Sequence, residues 1–206
     1  MKTIGSVRED LNIEKRISIT PDTVKKFINL GFSVHIEKGY ADHLNINDND
    51  YNKSGANIKN FKKEIYETSD IILKVNNPSV DEANLIKNKS ILIGQFDINH
   101  NKDIIGILNK KQVSFFSLNL LPRITRAQSM DVLSSQANLA GYKAVIESFS
   151  EFEEAIPMMM TAAGTIPAAR VLVIGAGVAG LQAIATAKRM GAIVFATDVR
   201  AASKEQ

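Results

Sequence analysis

Cysteine is absent from all 206 residues. That excludes disulfides and thiolate chemistry, and it suits a reducing compartment. No apolar run approaches the roughly 18 residues that a membrane-spanning helix needs, so if the protein works at a membrane, another chain must carry it there. The excess of one charge sign is small: 25 Lys and Arg stand against 22 Asp and Glu, a net charge of +3. That is too weak to argue for nucleic acid or an anionic surface as partner. No repeat with a period of 20–50 residues is evident. The N-terminus, MKTIGSVRED, has a strand pattern with charges rather than the character of a signal peptide. What remains, 45% hydrophobic and 23% charged residues, describes a soluble globular chain of one or two domains, long enough to bury a real core.

Short apolar runs alternate with helical patterns over the first 120 or so residues. Strands are expected at 3–7, 33–37, 71–75, 91–96 and 113–118, and helices at 21–30, 61–67, 80–85 and 104–110. The first helix is well marked: Thr20 can cap it, Pro21 suits its first position, and Val24, Phe27 and Ile28 form an apolar face. Strands alternating with helices imply parallel pairing in an α/β layer fold. The segment NINDNDYNKSGANIKN reads as surface loop and short helix. A long helix pattern covers 129–149, with Met130, Leu133, Ala137, Ala140 and Ala144 on one face. After it, IPMMMTAAGTIPAAR reads as a buried connector whose methionines pack. His35 and His43 read as strand and loop residues rather than ligands or catalysts, and no metal site is expected.

The most informative stretch is RVLVIGAGVAGLQAIATAKRMGAIVFATDVR, residues 170–200. An apolar strand runs into Gly175, Gly177 and Gly180, a helix follows over 178–190, Gly191 stops it, and a second strand over 193–197 ends at Asp198. Each glycine has a physical task. Gly175 permits the tight turn, Gly177 lets backbone approach a pyrophosphate, and Gly180 lets the helix lie close on the sheet. The helix N-terminus offers free N–H groups and partial positive charge to phosphates. A lone G-x-G-x-x-G is weak evidence, but here the strand, the helix and the acid about 20 residues on complete the dinucleotide fingerprint. A carboxylate at Asp198 accepts ribose hydroxyls and repels a 2′-phosphate, which favours NAD, although Arg200 leans the other way.

Upstream, LPRITRAQSMDVLSSQANLAGYKAV places Gln128, Asp131, Ser134 and Asn138 at helical spacing opposite the apolar face, with Arg123 and Arg126 just before them. Short amide, carboxylate and hydroxyl groups suit a lined cleft in which each can fix a ligand hydrogen bond. An ordinary exposed helix face fits the same composition.

These residues carry a resemblance. VREDLNIEKRISITPDTVKKFINLGFSV and the dense match after Leu121, including RITRAQSMDVLSSQANLAGYKAV and ATDVRAA, resemble the alanine dehydrogenase and proton-translocating transhydrogenase family. The second stretch looks specifically like the NAD(H)-binding component of the transhydrogenase alpha subunit. The resemblance implies two Rossmann-like parallel-sheet domains, 1–125 and 126–206, joined by the long helix, the second incomplete in this chain. It implies that Arg123, Gln128, Asp131 and Ser134 hold the nicotinamide end of NAD(H), and that Gly175, Gly177, Gly180, Asp198 and Val199 bind the rest of the cofactor. It further implies a homodimer that docks on an NADP(H)-binding domain, with hydride transfer coupled to a membrane proton-translocating subunit. The chain itself would then be cytoplasmic, held at the membrane by its partners.

Relatives that oxidise alanine use a lysine and a histidine around a bound keto acid. Their places fall at Asn76 and Asp97 here, with Lys74 two residues and His100 three residues away. Arg16 matches the substrate-binding arginine of those relatives, and would equally serve as a structural ion-pair residue. Making an amino acid requires proton transfers and hence a positioned acid–base group. Exchange of hydride between two nicotinamides requires only two rings held close with water excluded. The resemblance therefore points to transhydrogenation. The competing readings are an alanine dehydrogenase-like enzyme that uses Lys74 or His100, and an NAD-binding subunit without turnover.

Overall fold

The computed structural model describes residues 1–97 and 101–205; the role considered for His100 lies outside the described residues. The chain divides into two units, Met1–Pro122 and Arg123–Gln206.

In the first unit, six strands form one parallel sheet: β1 (Thr3–Ser6), β2 (Ser33–Glu37), β3 (Asn57–Lys59), β4 (Ile71–Leu73), β5 (Ile91–Gly94) and β6 (Ser114–Ser117). Their spatial order is β3-β2-β1-β4-β5-β6, with every neighbouring pair parallel. This is the doubly wound order in which the direction of winding reverses between β1 and β4, leaving a crevice at their carboxyl ends. The connecting helices are α1 (Pro21–Asn29), α2 (Asp48–Lys53), α3 (Lys62–Thr68), α4 (Val80–Leu85) and α5 (Lys102–Lys110). Their starts are chemically marked. Thr20 accepts the Thr23 N–H and Pro21 opens α1, while Asn47 with Asp50 and Ser79 with Glu82 form capping boxes on α2 and α4.

Alternate strand residues feed two hydrophobic clusters. Ile72 and Leu92 join Val7, Ile65, Tyr66 and Phe96 in one. Ile4, Val34 and Ile36 join Val24 and Tyr51 in the other, with Ile71 and Leu73 packed against it. The period of two along β4 is what a strand covered on both faces requires. Each fully buried side chain of this size contributes about 1.5–3 kcal/mol.

The second unit contains α6 (Val132–Ser150), an antiparallel hairpin of β7 (Met159–Thr161) and β8 (Gly164–Ile166), then β9 (Arg170–Ile174), α7 (Val178–Arg189) and β10 (Ile193–Thr197). Strands β9 and β10 pair in parallel from Arg170↔Ile193 to Ile174↔Thr197. Helices α6 and α7 pack through Val145 and Ala187, with Ala183 and Val194 against them. The approach is close enough that a Cβ on Gly141 would lie 2.0 Å from the Ala179 carbonyl oxygen.

Four expectations need correction. The Asn-rich segment holds helix α2 as anticipated, but also an edge strand, β3, and Tyr51, which is fully buried and donates to the Ile19 carbonyl at 2.8 Å. Three residues of strand are too few to show a period. The stretch expected to be a buried connector is an exposed hairpin, and Met158, Met159 and Met160 project from it. The long helix begins at Val132 and not 129, because Asp131 caps it and 125–130 form a 3-10 turn. Lastly, Met130, Leu133, Ala140 and Ala144 are exposed, and the buried positions of α6 are Gly141 and Val145. Small residues where α7 comes closest decide which face is covered, and alanine periodicity alone does not show that. Among the described residues, no helix is long and apolar enough to cross a membrane.

Candidate nucleotide site

The glycine loop lies between β9 and α7. Gly175 has φ +96°, the left-handed region that favours glycine. A Cβ on Gly180 would lie 1.8 Å from the Gly175 carbonyl oxygen, so no larger residue fits there without moving the loop. Gly177 occupies the N-cap of α7 and offers no side-chain cap, so the first N–H groups of the helix have no side-chain oxygen from the cap residue. Along one side of this loop runs a cleft of about 610 Å³, whose walls include Arg123, Ser134, Ala137, Gly175, Gly177 and Gly180. Ser134 thus shares a wall with Ala137, Ala140 and Ala144 rather than standing opposite them.

The remaining polar residues divide. Asp131, at the N-cap of α6, accepts the Ser134 N–H at 2.9 Å and the Ser134 hydroxyl at 2.7 Å. That hydroxyl bond first, then the backbone N–H, with Arg123 nearby, holds the Asp131 carboxyl below the usual carboxylate range. Asp131 therefore fixes where Ser134 points. Gln128 is exposed on the 3-10 turn, and neither it, Asp131 nor the exposed Asn138 is among the walls of this cleft.

Asp198 follows β10. Its Oδ2 accepts the Ala176 N–H at 2.7 Å and its Oδ1 accepts the Arg200 N–H at 2.7 Å. The Arg200 guanidinium donates from Nε to Oδ1 at 3.1 Å and from Nη2 to Oδ2 at 3.2 Å. Arg200's side chain, then its backbone, then Ala176, hold the Asp198 carboxyl far below its ordinary range. The pair opens on a second hollow of about 540 Å³, walled also by Leu181, Ile184 and Ala196. Val199, the residue after Asp198, is fully exposed and is not among the walls of this hollow. Leu181 and Ile184 were not singled out in the sequence, although their i, i+3 spacing puts them on one face of α7.

A third cavity, of about 710 Å³, belongs to the first unit at the crevice between β1 and β4, and Glu9, Glu14, Lys74, Asn76, Glu82 and Asp97 line it. Lys74 is buried, with its ammonium 3.3 Å from Glu9 and 3.5 Å from Glu82. Burial raises the Glu82 carboxyl, but Lys74, the Ser79 N–H and Lys62 outweigh it and leave the group lowered. Arg16 grips Glu14 in a fork, Nε to Oε1 at 2.9 Å and Nη2 to Oε2 at 2.7 Å, and Asn76 adds a contact to the same carboxylate at 3.4 Å. The structure brings Asn76 and Asp97 to one cavity, and it commits Lys74 and Arg16 to carboxylates of the chain itself.

Parallel α/β units with a glycine cradle at a helix N-terminus and an acid after the next strand define a Rossmann-like protein. More specifically, the chain belongs to the alanine dehydrogenase/PNT family. The family's "Alanine dehydrogenase/PNT, N-terminal domain" pattern matches residues 5–140 and its "Alanine dehydrogenase/PNT, C-terminal domain" pattern matches 144–206. The chain is 50% identical over 198 residues to the first portion of the NAD(P) transhydrogenase alpha subunit of Rhodospirillum rubrum, covering 94% of this chain and 52% of that protein. It superposes on the crystal structure of transhydrogenase from Sinorhizobium meliloti with TM-score 0.92 and 48% identity, over 99% of this chain and 61% of that one. To the alanine dehydrogenase of Methanococcus maripaludis it is 29% identical, covering 95% of this chain and 53% of that protein. The chain spans about half the length of the curated relatives it matches.

Proposed function

We propose that this chain is the NAD(H)-binding component of an NAD(P) transhydrogenase, exchanging hydride between NAD(H) and NADP(H) bound on a partner domain. The observation that carries this reading is the cleft in which Arg123 and Ser134 meet the glycine loop, with Asp198 bonded to the same loop through Ala176. The cradle fits a pyrophosphate: Gly175 and Gly177 leave open space where side chains would otherwise stand, and Gly180 lets α7 start close against the loop. When bound, the nicotinamide supplies the carbon that gives or takes hydride. The residues bind and orient. Asp198, with Val199 beside it, receives the adenosine ribose. Arg123 and Ser134 line the path to the nicotinamide end, Asp131 holds Ser134 in place, and Gln128, on the exposed turn before α6, joins them on the nicotinamide. No group is required to move a proton.

The alanine dehydrogenase reading is weaker in this chain. Asn76 and Asp97 stand in the lysine and histidine places, and the Lys74 ammonium is held between Glu9 and Glu82. The partners in this proposal are a second copy of the chain, an NADP(H)-binding domain and a membrane proton-translocating subunit that holds the assembly at the membrane. The exposed apolar hairpin, with Met158, Met159, Met160 and Ile166, supports self-association, since exposed apolar patches mark interaction sites. Light scattering of wild type and Met160→Lys tests it, with a dimer expected only for the first.

The deciding experiment mixes the full-length protein with an NADP(H)-binding transhydrogenase domain and follows hydride transfer from NADPH to an NAD analogue. Partner-dependent transfer is expected. Partner-independent oxidation of NADH by pyruvate plus ammonia would establish the dehydrogenase reading instead. Tight NADH binding without either turnover would establish a non-catalytic subunit.

A further inference from the structure

A carboxylate offers about four acceptor positions, and in Asp198 all four are taken. Backbone donors fill two of them, the N–H groups of Ala176 and Arg200. The Arg200 guanidinium fills the other two. A ribose diol presents two hydroxyl donors and needs two free acceptor positions. The backbone donors belong to the glycine loop and to the turn after β10, so they cannot leave without moving the main chain. The guanidinium can leave, because its side chain is 61% exposed and, among the described residues, its bonds go to the carboxylate alone. It also has a destination. Its Nη2 lies 3.9 Å from where a Cβ on Gly177 would be, over the stretch of the loop that the nucleotide reading assigns to the pyrophosphate.

We infer that Arg200 is an exchangeable counter-ion that occupies the ribose seat on Asp198 in the empty site and transfers to the pyrophosphate when the nucleotide enters. Arg200 thus competes with the ribose and cooperates with the phosphates. For a complete dinucleotide the two effects oppose each other and the phosphate contact outweighs the competition, whereas a nucleoside, which has the diol and no phosphate, meets the competition alone. The arrangement also rejects a 2′-phosphate: it would have to approach Asp198 while Arg200 is committed either to that carboxylate or to the pyrophosphate. This inference rests on the nucleotide reading of the cleft.

The test compares adenosine and NADH binding to the full-length protein by titration, in wild type, Arg200→Gln and Arg200→Ala, with circular dichroism confirming that both variants are folded. Adenosine is expected to bind about threefold more tightly to both variants, the scale of an exposed ion pair. NADH is expected to bind at least about threefold more weakly, from loss of one charge-assisted phosphate contact. In wild type, adenosine affinity should rise with salt, which screens the pair, and in the variants it should not. Adenosine binding that is unchanged or weaker in both variants, alongside normal wild-type binding, would overturn the counter-ion role. NADH binding that does not weaken would overturn the transfer to phosphate. Wild-type protein that binds neither adenosine nor NADH would instead overturn the nucleotide reading itself, and the inference with it.

Discussion

The Asp198 carboxylate accepts the Ala176 N–H at 2.7 Å, so the end of β10 and the turn between β9 and α7 are fastened by one charge-assisted bond. The acid proposed to choose the cofactor therefore also shapes the loop that would carry its phosphates.

Asp198→Ala should weaken NADH binding by roughly tenfold, from lost ribose contacts and a loosened loop. Asp198→Asn should lose less, because an amide oxygen can still accept from Ala176. Calorimetric titration gives both values. Wild-type protein that binds NADPH more tightly than NADH would refute the assignment of Asp198 as the selector.

Gln128 and Asp131 should differ in a way that sequence spacing does not suggest. Gln128→Ala, on an exposed turn, should lower the hydride-transfer rate far more than NADH affinity and leave thermal stability unchanged. Asp131→Ala should lower both the rate and the melting temperature, since it also removes the cap of α6. Equal losses of rate and affinity for Gln128→Ala would argue against a positioning role.

Lys74→Met should destabilise the protein by about 3–5 kcal/mol, since Glu9 would be left buried without its cation, while Glu82 keeps Lys62 at 3.3 Å. Urea unfolding measures it. A loss under about 1 kcal/mol would show that water reaches the pair. The wild type should show no useful alanine–pyruvate turnover, because a missing acid–base group lowers such rates by about 100- to 10,000-fold.

His35 gives a pH dependence with a definite sign. Burial first, then Lys59, lowers its pKa below the ordinary value, and its Nδ1 is buried with no hydrogen-bond partner among the described residues. Between the depressed folded value and the unfolded value near 6.5, the unfolded chain binds more protons. Stability is therefore full above about pH 6.5 and falls as the pH drops through that window. Unfolding midpoints at about pH 7.5 and 5.5 should differ more for wild type than for His35→Gln, and an identical pH response would exclude this histidine as the source.

How legible a feature was in the sequence followed how local its physics is. The glycine loop could be read because its signals are contiguous: an apolar strand, glycines at three fixed offsets, a helix start, and an acid at the next strand end. Helix α1 could be read from Thr20 and Pro21 for the same reason. Strand β3 could not, because three residues become a strand only when β2 lies beside them. The Met158–Met160 run was misread because apolarity marks a surface that avoids water, without saying whether this chain or another covers it.

The α/β class, the family, the glycine cradle and the acid that follows it are thus written in the order of residues, each within a few dozen neighbours. Three other features come from packing: Lys74 is held by Glu9 and Glu82, Tyr51 donates to the Ile19 carbonyl, and Asp198 accepts the Ala176 N–H. Each depends on which donors and acceptors are brought within about 3 Å of one another. That is set by how helices and strands come together in space, and no spacing along the chain specifies it.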